Sequence, residues 1–170
     1  MLSQKARYAF KALVRLAISG PHICIQARDI AEAEQIPPSF LDQILLELRH
    51  AGLVGSRRGR DGGHFLCKDA ADISLGQVIR LIDGPIAPLP CLSRTAYRQC
   101  HDCKDEGTCA VRRVFKRTYE ATLAVLEQTS IADACAQYEP AEQVVVAAPA
   151  LSAEPDTGAP KRPSGAEHNT

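Results

Sequence analysis

Cys91, Cys100, Cys103 and Cys109 fall within nineteen residues, with eight, two and five residues between successive thiols. Cysteine thiolates are the ligands of iron–sulfur clusters, and four of them suit a [2Fe–2S] or a [4Fe–4S] cofactor. Zinc competes, because tetrahedral sites of four cysteines are common. Such sites usually offer two close pairs, however, and only Cys100/Cys103 is one here. A third chemistry needs no metal, since paired thiols in a basic loop form reversible disulfides. Arg94, Arg98, Lys104, Arg112 and Arg113 make these surroundings basic, and Asp102, Asp105 and Glu106 offset part of that charge. Cys24, Cys67 and Cys135 lie beside apolar residues instead and read as small buried hydrophobes.

A second chemistry lies upstream, in the run Gly55-Ser56-Arg57-Arg58-Gly59-Arg60-Asp61-Gly62-Gly63. Glycines let the backbone turn and approach a phosphate closely, while Arg57, Arg58 and Arg60 supply positive charge. That combination fits a DNA-binding wing, and its bland alternative is a solvated hairpin.

Both groups need elements to position them. A first helix is expected from Ser3 to Ser19, capped by Ser3, with Ala6, Phe10, Leu13 and Ala17 on one stripe. A short helix follows over Ala27–Ala33. A third runs from Pro38 to His50, with Phe40, Leu41, Ile44, Leu45 and Leu48 as its apolar residues and Gly52 behind it. Two helices joined by a tight turn make a helix-turn-helix candidate. Leu53-Val54 and His64-Phe65-Leu66 read as short strands flanking the arginine loop.

Ser74–Asp83 is a short amphipathic helix, and the breakers of 84–108 make that segment a cysteine-bearing loop. A long helix is expected from Cys109 to Gln128. Its Val111, Phe115, Thr118, Thr122 and Val125 are spaced four, three, four and three, a seam suited to dimerisation or to packing on its own domain. Ile131–Ala136 is a last turn of helix. The expected units are 1–83 (DNA-binding domain), 84–108 (cysteine-rich sensor loop), 109–137 (dimerisation helix and terminal turn) and 138–170. The last, rich in Pro and Ala and poor in large apolar side chains, reads as a disordered tail.

At 170 residues the chain suffices for one compact domain with an appendage and excludes two large enzyme domains. Its net charge of zero conceals an asymmetry. Residues 1–68 carry ten Lys/Arg against six Asp/Glu, and the last 33 residues carry two against five. A basic first half points to a polyanion partner. The sequence shows neither a signal peptide nor an apolar run near the ~20 residues that cross a bilayer, so a cytoplasmic chain with no membrane partner is expected. Nucleotide loops, nucleophile–base motifs and carboxylate constellations are absent from the sequence. That argues against an enzyme, and an electron carrier would have no use for the basic loop.

Leu2-Ser3-Gln4-Lys5-Ala6-Arg7-Tyr8-Ala9, Ile36-Pro37-Pro38-Ser39-Phe40-Leu41-Asp42-Gln43-Ile44-Leu45, Leu48-Arg49-His50-Ala51-Gly52-Leu53-Val54 and Arg58-Gly59-Arg60-Asp61-Gly62-Gly63 stand in that order. Together they resemble the Rrf-type winged-helix transcriptional regulators (IscR-, NsrR- and CymR-like proteins), over about residues 1–137. The resemblance implies a mainly α fold with a small β-wing, a winged helix-turn-helix domain and a long dimerisation helix. It also implies a homodimer on double-stranded DNA, sensing iron–sulfur or redox and sulfur status. Ser39, Asp42 and Gln43 stand where such proteins contact bases, and their chemistry agrees: Gln can bond adenine twice and Asp can accept from cytosine. Arg58 and Arg60, with Arg57 beside them, would reach the minor groove, and Lys5 and Arg7 would meet phosphates. Two copies would read a pseudo-palindromic operator with half-sites ~34–36 Å apart.

Cluster-binding members carry three evenly spaced cysteines, and Cys103-x5-Cys109 resembles the second half of that pattern. This chain departs from it. Its loop is longer, Cys100 is additional, Arg112 replaces a ligating His, and Arg7 stands where some members have a ligating acid. The resemblance therefore also admits regulators without a cluster, controlled by thiol oxidation or by a metabolic-enzyme partner, or carrying a structural zinc.

Overall fold

The computed structural model of the chain describes residues 2–137; the tail expected over 138–170 lies outside them. Helix α1 spans Gln4–Ile18, and the Ser3 hydroxyl caps it by accepting from the Ala6 N–H at 3.0 Å. Ala6, Ala9, Ala12, Leu13 and Leu16 are buried on it, so small residues let neighbouring helices approach closely. Helix α2 (Ala27–Glu34) ends at Gln35, whose left-handed φ of 54° turns the chain towards Pro37-Pro38. Helix α3 (Pro38–His50) opens on proline, whose fixed φ suits a first turn, and buries Leu41, Ile44, Leu45 and Leu48.

Strands β1 (Val54–Arg57) and β2 (Gly63–Leu66) pair antiparallel, with Val54 opposite Leu66 and Arg57 opposite Gly63. Ile25 bridges His64 on the other side of β2. The hairpin is longer than the sequence implied, and its loop shrinks to 58–62. Gly55-Ser56-Arg57 show no apolar alternation, so their strand character comes from main-chain pairing alone.

Helix α4 (Leu75–Ile82) is capped by Ser74. Helix α5 (Ala110–Gln128) begins at Cys109, and α6 (Ile131–Ala136) opens with a capping box in which Ser130 and Asp133 satisfy each other's backbone. Short 3₁₀ turns lie at Ala70–Asp72 and at Pro90–Leu92, the second inside the expected loop.

Among the described residues two apolar clusters result. The larger joins α1, α2, α3, β1 and α4, and α6 returns to it through Ile131. The smaller gathers Cys91, Leu92, Tyr119 and Leu123, with Ile86, Ala87, Leu89 and Cys100 against them. It pins the 84–108 loop to one face of α5. Backbone bonds from Leu75 N–H to Thr129 and from Ile131 N–H to Ile73 hold the far end of α5, as does the Arg80–Glu127 ion pair. The first cluster positions α3 and the hairpin; the second positions the cysteines.

Candidate nucleic-acid interface and cysteine cavity

Ser39, Asp42 and Gln43 are all exposed on α3, opposite its buried stripe. Phe40, one of the apolar residues expected along this helix, is 49% exposed and packs edge-on against Tyr8 at 6.3 Å between ring centroids. It sits at the margin of the stripe, where a helical step carries it towards α1 rather than under α3. Lys5 is paired with Glu47 of α3 at 2.6 Å, tying α1 to that helix, while exposed Arg7 donates to Gln4 Oε1 at 3.1 Å.

On the hairpin, the Arg57 guanidinium lies over the Phe65 ring, 5.9 Å from its centroid. Arg58 and Arg60 are exposed at the tip. A turn closed by Gly62 N–H to the Gly59 carbonyl at 3.1 Å presents Arg60 and Asp61. A Cβ on Gly62 would strike the Arg57 carbonyl, and one on Gly63 would strike the Ile25 carbonyl. These glycines thus let the chain pass close to backbone, and the arginines project outward. The His64 ring is held below its ordinary pKa by burial first and by the charge of Arg49 second, with Asp42 opposing.

Cys91, Cys100, Cys103 and Cys109 line one cavity of about 330 Å³, together with Leu89, Val111, Asp102 and Arg112. Cys91 is buried in the smaller apolar cluster, on the Pro90–Leu92 turn. Cys100 and Cys103 are joined by a backbone bond of 3.1 Å from the Cys103 N–H to the Cys100 carbonyl. Cys109 caps α5, its Sγ accepting from the Arg112 N–H at 3.4 Å. Burial first, and the neighbouring Cys91 second, push the Cys100 thiol up. Burial, then the neighbouring Cys109 and Glu106, pushes Cys103 up. Asp105 is held below the carboxylate range, chiefly by the Gly107 N–H, and so folds the segment between Cys103 and Cys109.

The donor set fits an iron–sulfur centre in chemistry, with four thiols on the wall of one cavity. Their sulfurs stand apart, however. Among the described residues no three His, Cys, Asp or Glu side chains converge closely enough to hold a metal ion. Loading therefore requires side-chain rotation and loss of thiol protons.

Sequence reasoning missed a polar support behind this wall. The Tyr97 hydroxyl donates to Glu106 at 2.6 Å, and Glu106 faces Arg112 at 3.3 Å. No spacing rule links a tyrosine and a glutamate nine residues apart in a loop. The remaining thiols divide. Cys24 and Cys135 are half-buried, but Cys67 is exposed, contrary to its expected burial. Cys67 follows the end of β2, beyond the residues that pack on the core.

On α5, Tyr119 and Leu123 face inward, while Val111, Val114, Phe115 and Val125 are between 43% and 66% exposed. The helix thus packs on its own domain and still presents an apolar seam. Among the described residues, no helix is long and apolar enough to cross a membrane.

A family model described as Rrf2, iron-dependent transcriptional regulator, matches residues 2–137. The chain is similar to an HTH-type transcriptional regulator named rrf2-like from Rhodobacter capsulatus, with 44% identity over 85% of this chain and 99% of the relative. It is 32% identical to CymR of Bacillus subtilis over 84% of this chain and 94% of that one. Among solved structures, that of CymR, described as the global cysteine regulator of B. subtilis, superposes with a TM-score of 0.68 at 28% identity. It covers 82% of this chain and 98% of CymR. An IscR structure from T. potens gives 0.62 at 26% identity, covering 84% of this chain and 90% of that one. These relatives are transcriptional regulators rather than enzymes, and the fold they share is the winged helix. The chain belongs to the Rrf2 family of transcriptional regulators.

Proposed function

We propose that the chain acts as a homodimer that binds a pseudo-palindromic operator, with affinity set by the state of its cysteine cavity. The observation that carries this reading is the meeting of all four loop cysteines in one cavity at the start of α5. In this reading α3 reads bases through Ser39, Asp42 and Gln43, and Arg57, Arg58 and Arg60 anchor the wing. Val114, Phe115 and Val125 join two copies.

Cys91, Cys100, Cys103 and Cys109 would hold an iron–sulfur cluster, which supplies electron-transfer chemistry and lability to oxidants when bound. The chain's own residues do the rest. Cys109 fixes the start of α5, and Cys91 is locked to the inner face of that helix by Tyr119 and Leu123. At its other end the loop leaves α4 at Asp83, whose carboxylate accepts from the Ser3 N–H and hydroxyl at the α1 cap. Lys5 and Glu47 then join α1 to α3. A change in loop packing has a continuous set of contacts through which to shift the recognition helix.

A cluster-free thiol switch is the second reading, favoured by the four free thiols lining one cavity and by their unconverged side chains. Alanine at Cys91, Cys103 and Cys109 in turn tests the shared claim, using an operator selected from random duplex DNA. Each variant is expected to change operator affinity or to abolish its response to oxidant. Binding identical to that of the unaltered protein, with and without oxidant, would overturn the sensing role.

A further inference from the structure

Arg112 stands in the wall of the cysteine cavity with an unmet donor. Its Nε is buried and makes no hydrogen bond, although Glu106 Oε2 lies 3.3 Å away. The other Glu106 oxygen accepts from the Tyr97 hydroxyl at 2.6 Å, so this carboxylate is held from the loop side. The Arg112 main-chain N–H donates to Cys109 Sγ, which roots the residue one turn of helix from that thiol. Of the acids on the same wall, Asp105 is engaged by the N–H groups of Gly107 and Thr108. Lys104 is the other cation there.

The charge balance of the site gives this placement a purpose. Four thiolates around one divalent ion, or around an oxidised iron–sulfur core of charge +2, leave a dianion. Enclosing a dianion beside Leu89, Val111 and buried Cys91 is unfavourable unless a cation accompanies it. A guanidinium suits that task, because it stays protonated, offers a fork of donors and cannot act as a ligand.

We propose that Arg112 is a counter-charge of the cysteine cavity, offsetting one of the two charges of a dianionic four-thiolate centre rather than ligating it. The inference rests on the reading that the four cysteines hold that centre together. It also gives the Arg112–Glu106–Tyr97 chain a role, which is to hold the guanidinium at the cavity wall.

Cobalt(II) tests this with the full chain under anaerobic conditions, because thiolate-to-cobalt charge-transfer absorbance reports four-sulfur binding directly. Arg112→Gln is expected to weaken cobalt binding about tenfold or more, as loss of a unit charge beside a dianion requires. Arg112→Lys should recover most of the affinity. Glu106→Gln should bind at least as tightly as the unaltered protein, since it removes a competing anion. A merely structural clamp predicts the opposite, with Glu106→Gln losing as much as Arg112→Gln, and that result would overturn the proposal. So would unchanged affinity in Arg112→Gln. If Arg112→Gln fails to fold, the contrast between Arg112→Lys and Glu106→Gln decides the question in the same way. A variant with all four cysteines changed to serine separates the two claims. Equal cobalt binding in that variant sinks the four-thiol reading itself, whereas thiol-dependent binding indifferent to Arg112 sinks this inference alone.

Discussion

At the scale of single residues, the side chains proposed to face DNA divide into those that would position and those that would specify. Arg58 and Arg60 project from the hairpin tip, where they can meet phosphates or enter a minor groove. Replacing either by alanine should weaken operator binding across sequences and flatten the salt dependence, by about one in slope for each phosphate left without its cation. Gln43→Ala should instead cost ~1–3 kcal/mol and relax preference at a single base pair, measured by competition among operator variants. Lys5 is different, because its partner Glu47 already occupies it and their pair links α1 to α3. His64 makes a statement about pH. Its pKa lies below the ordinary 6.5 in the folded chain, so the native ring prefers to be neutral and unfolding takes up a proton in acid. This contribution is fully present above about pH 6.5 and is lost as the pH falls through the folded-state value. The melting temperature should therefore drop between pH 7.5 and 5.5 by less in His64→Gln than in the unaltered protein.

Among the elements, the helices were legible because their signals are local. Ser3, Ser74, Pro38 and the Ser130/Asp133 pair mark starts, and buried residues recur at helical spacing. The hairpin was legible only in outline. One of its strands runs through Gly55-Ser56-Arg57, which carry no alternation, and the other is bridged on its far side by Ile25 from a distant segment. The cysteine cavity was legible as a set of four residues, but its polar support was not, because Tyr97, Glu106 and Arg112 meet through a loop that no period describes. The exposure of Cys67 was not legible, since apolar neighbours in sequence do not ensure burial past a strand end. The close backbone approach at the hairpin carries its own test. Gly63→Ala places a Cβ against the Ile25 carbonyl at a φ of 152°, and should cost ~1–3 kcal/mol in thermal or denaturant unfolding while weakening DNA binding.

For the whole molecule, α5 joins the two tasks. One face packs against the cysteine loop through Tyr119 and Leu123, and another leaves Val114, Phe115 and Val125 exposed, where the proposed partner copy would pack. Val114→Glu puts a charge in the middle of that seam. Light scattering should find the mass of a single 18.4 kDa chain for this variant and twice that for the unaltered protein. Loss of the dimer should also lower operator affinity, because two half-sites are then no longer bound together. The most direct test of the central claim is purification without oxygen, followed by quantification of iron, acid-labile sulfide and zinc per chain with the visible spectrum. Stoichiometric iron and sulfide with sulfide-to-iron absorbance, lost when Cys91, Cys100, Cys103 and Cys109 are replaced, is the predicted result. A colourless protein with one zinc per chain, or metal-free protein with its thiols still reduced, would contradict it.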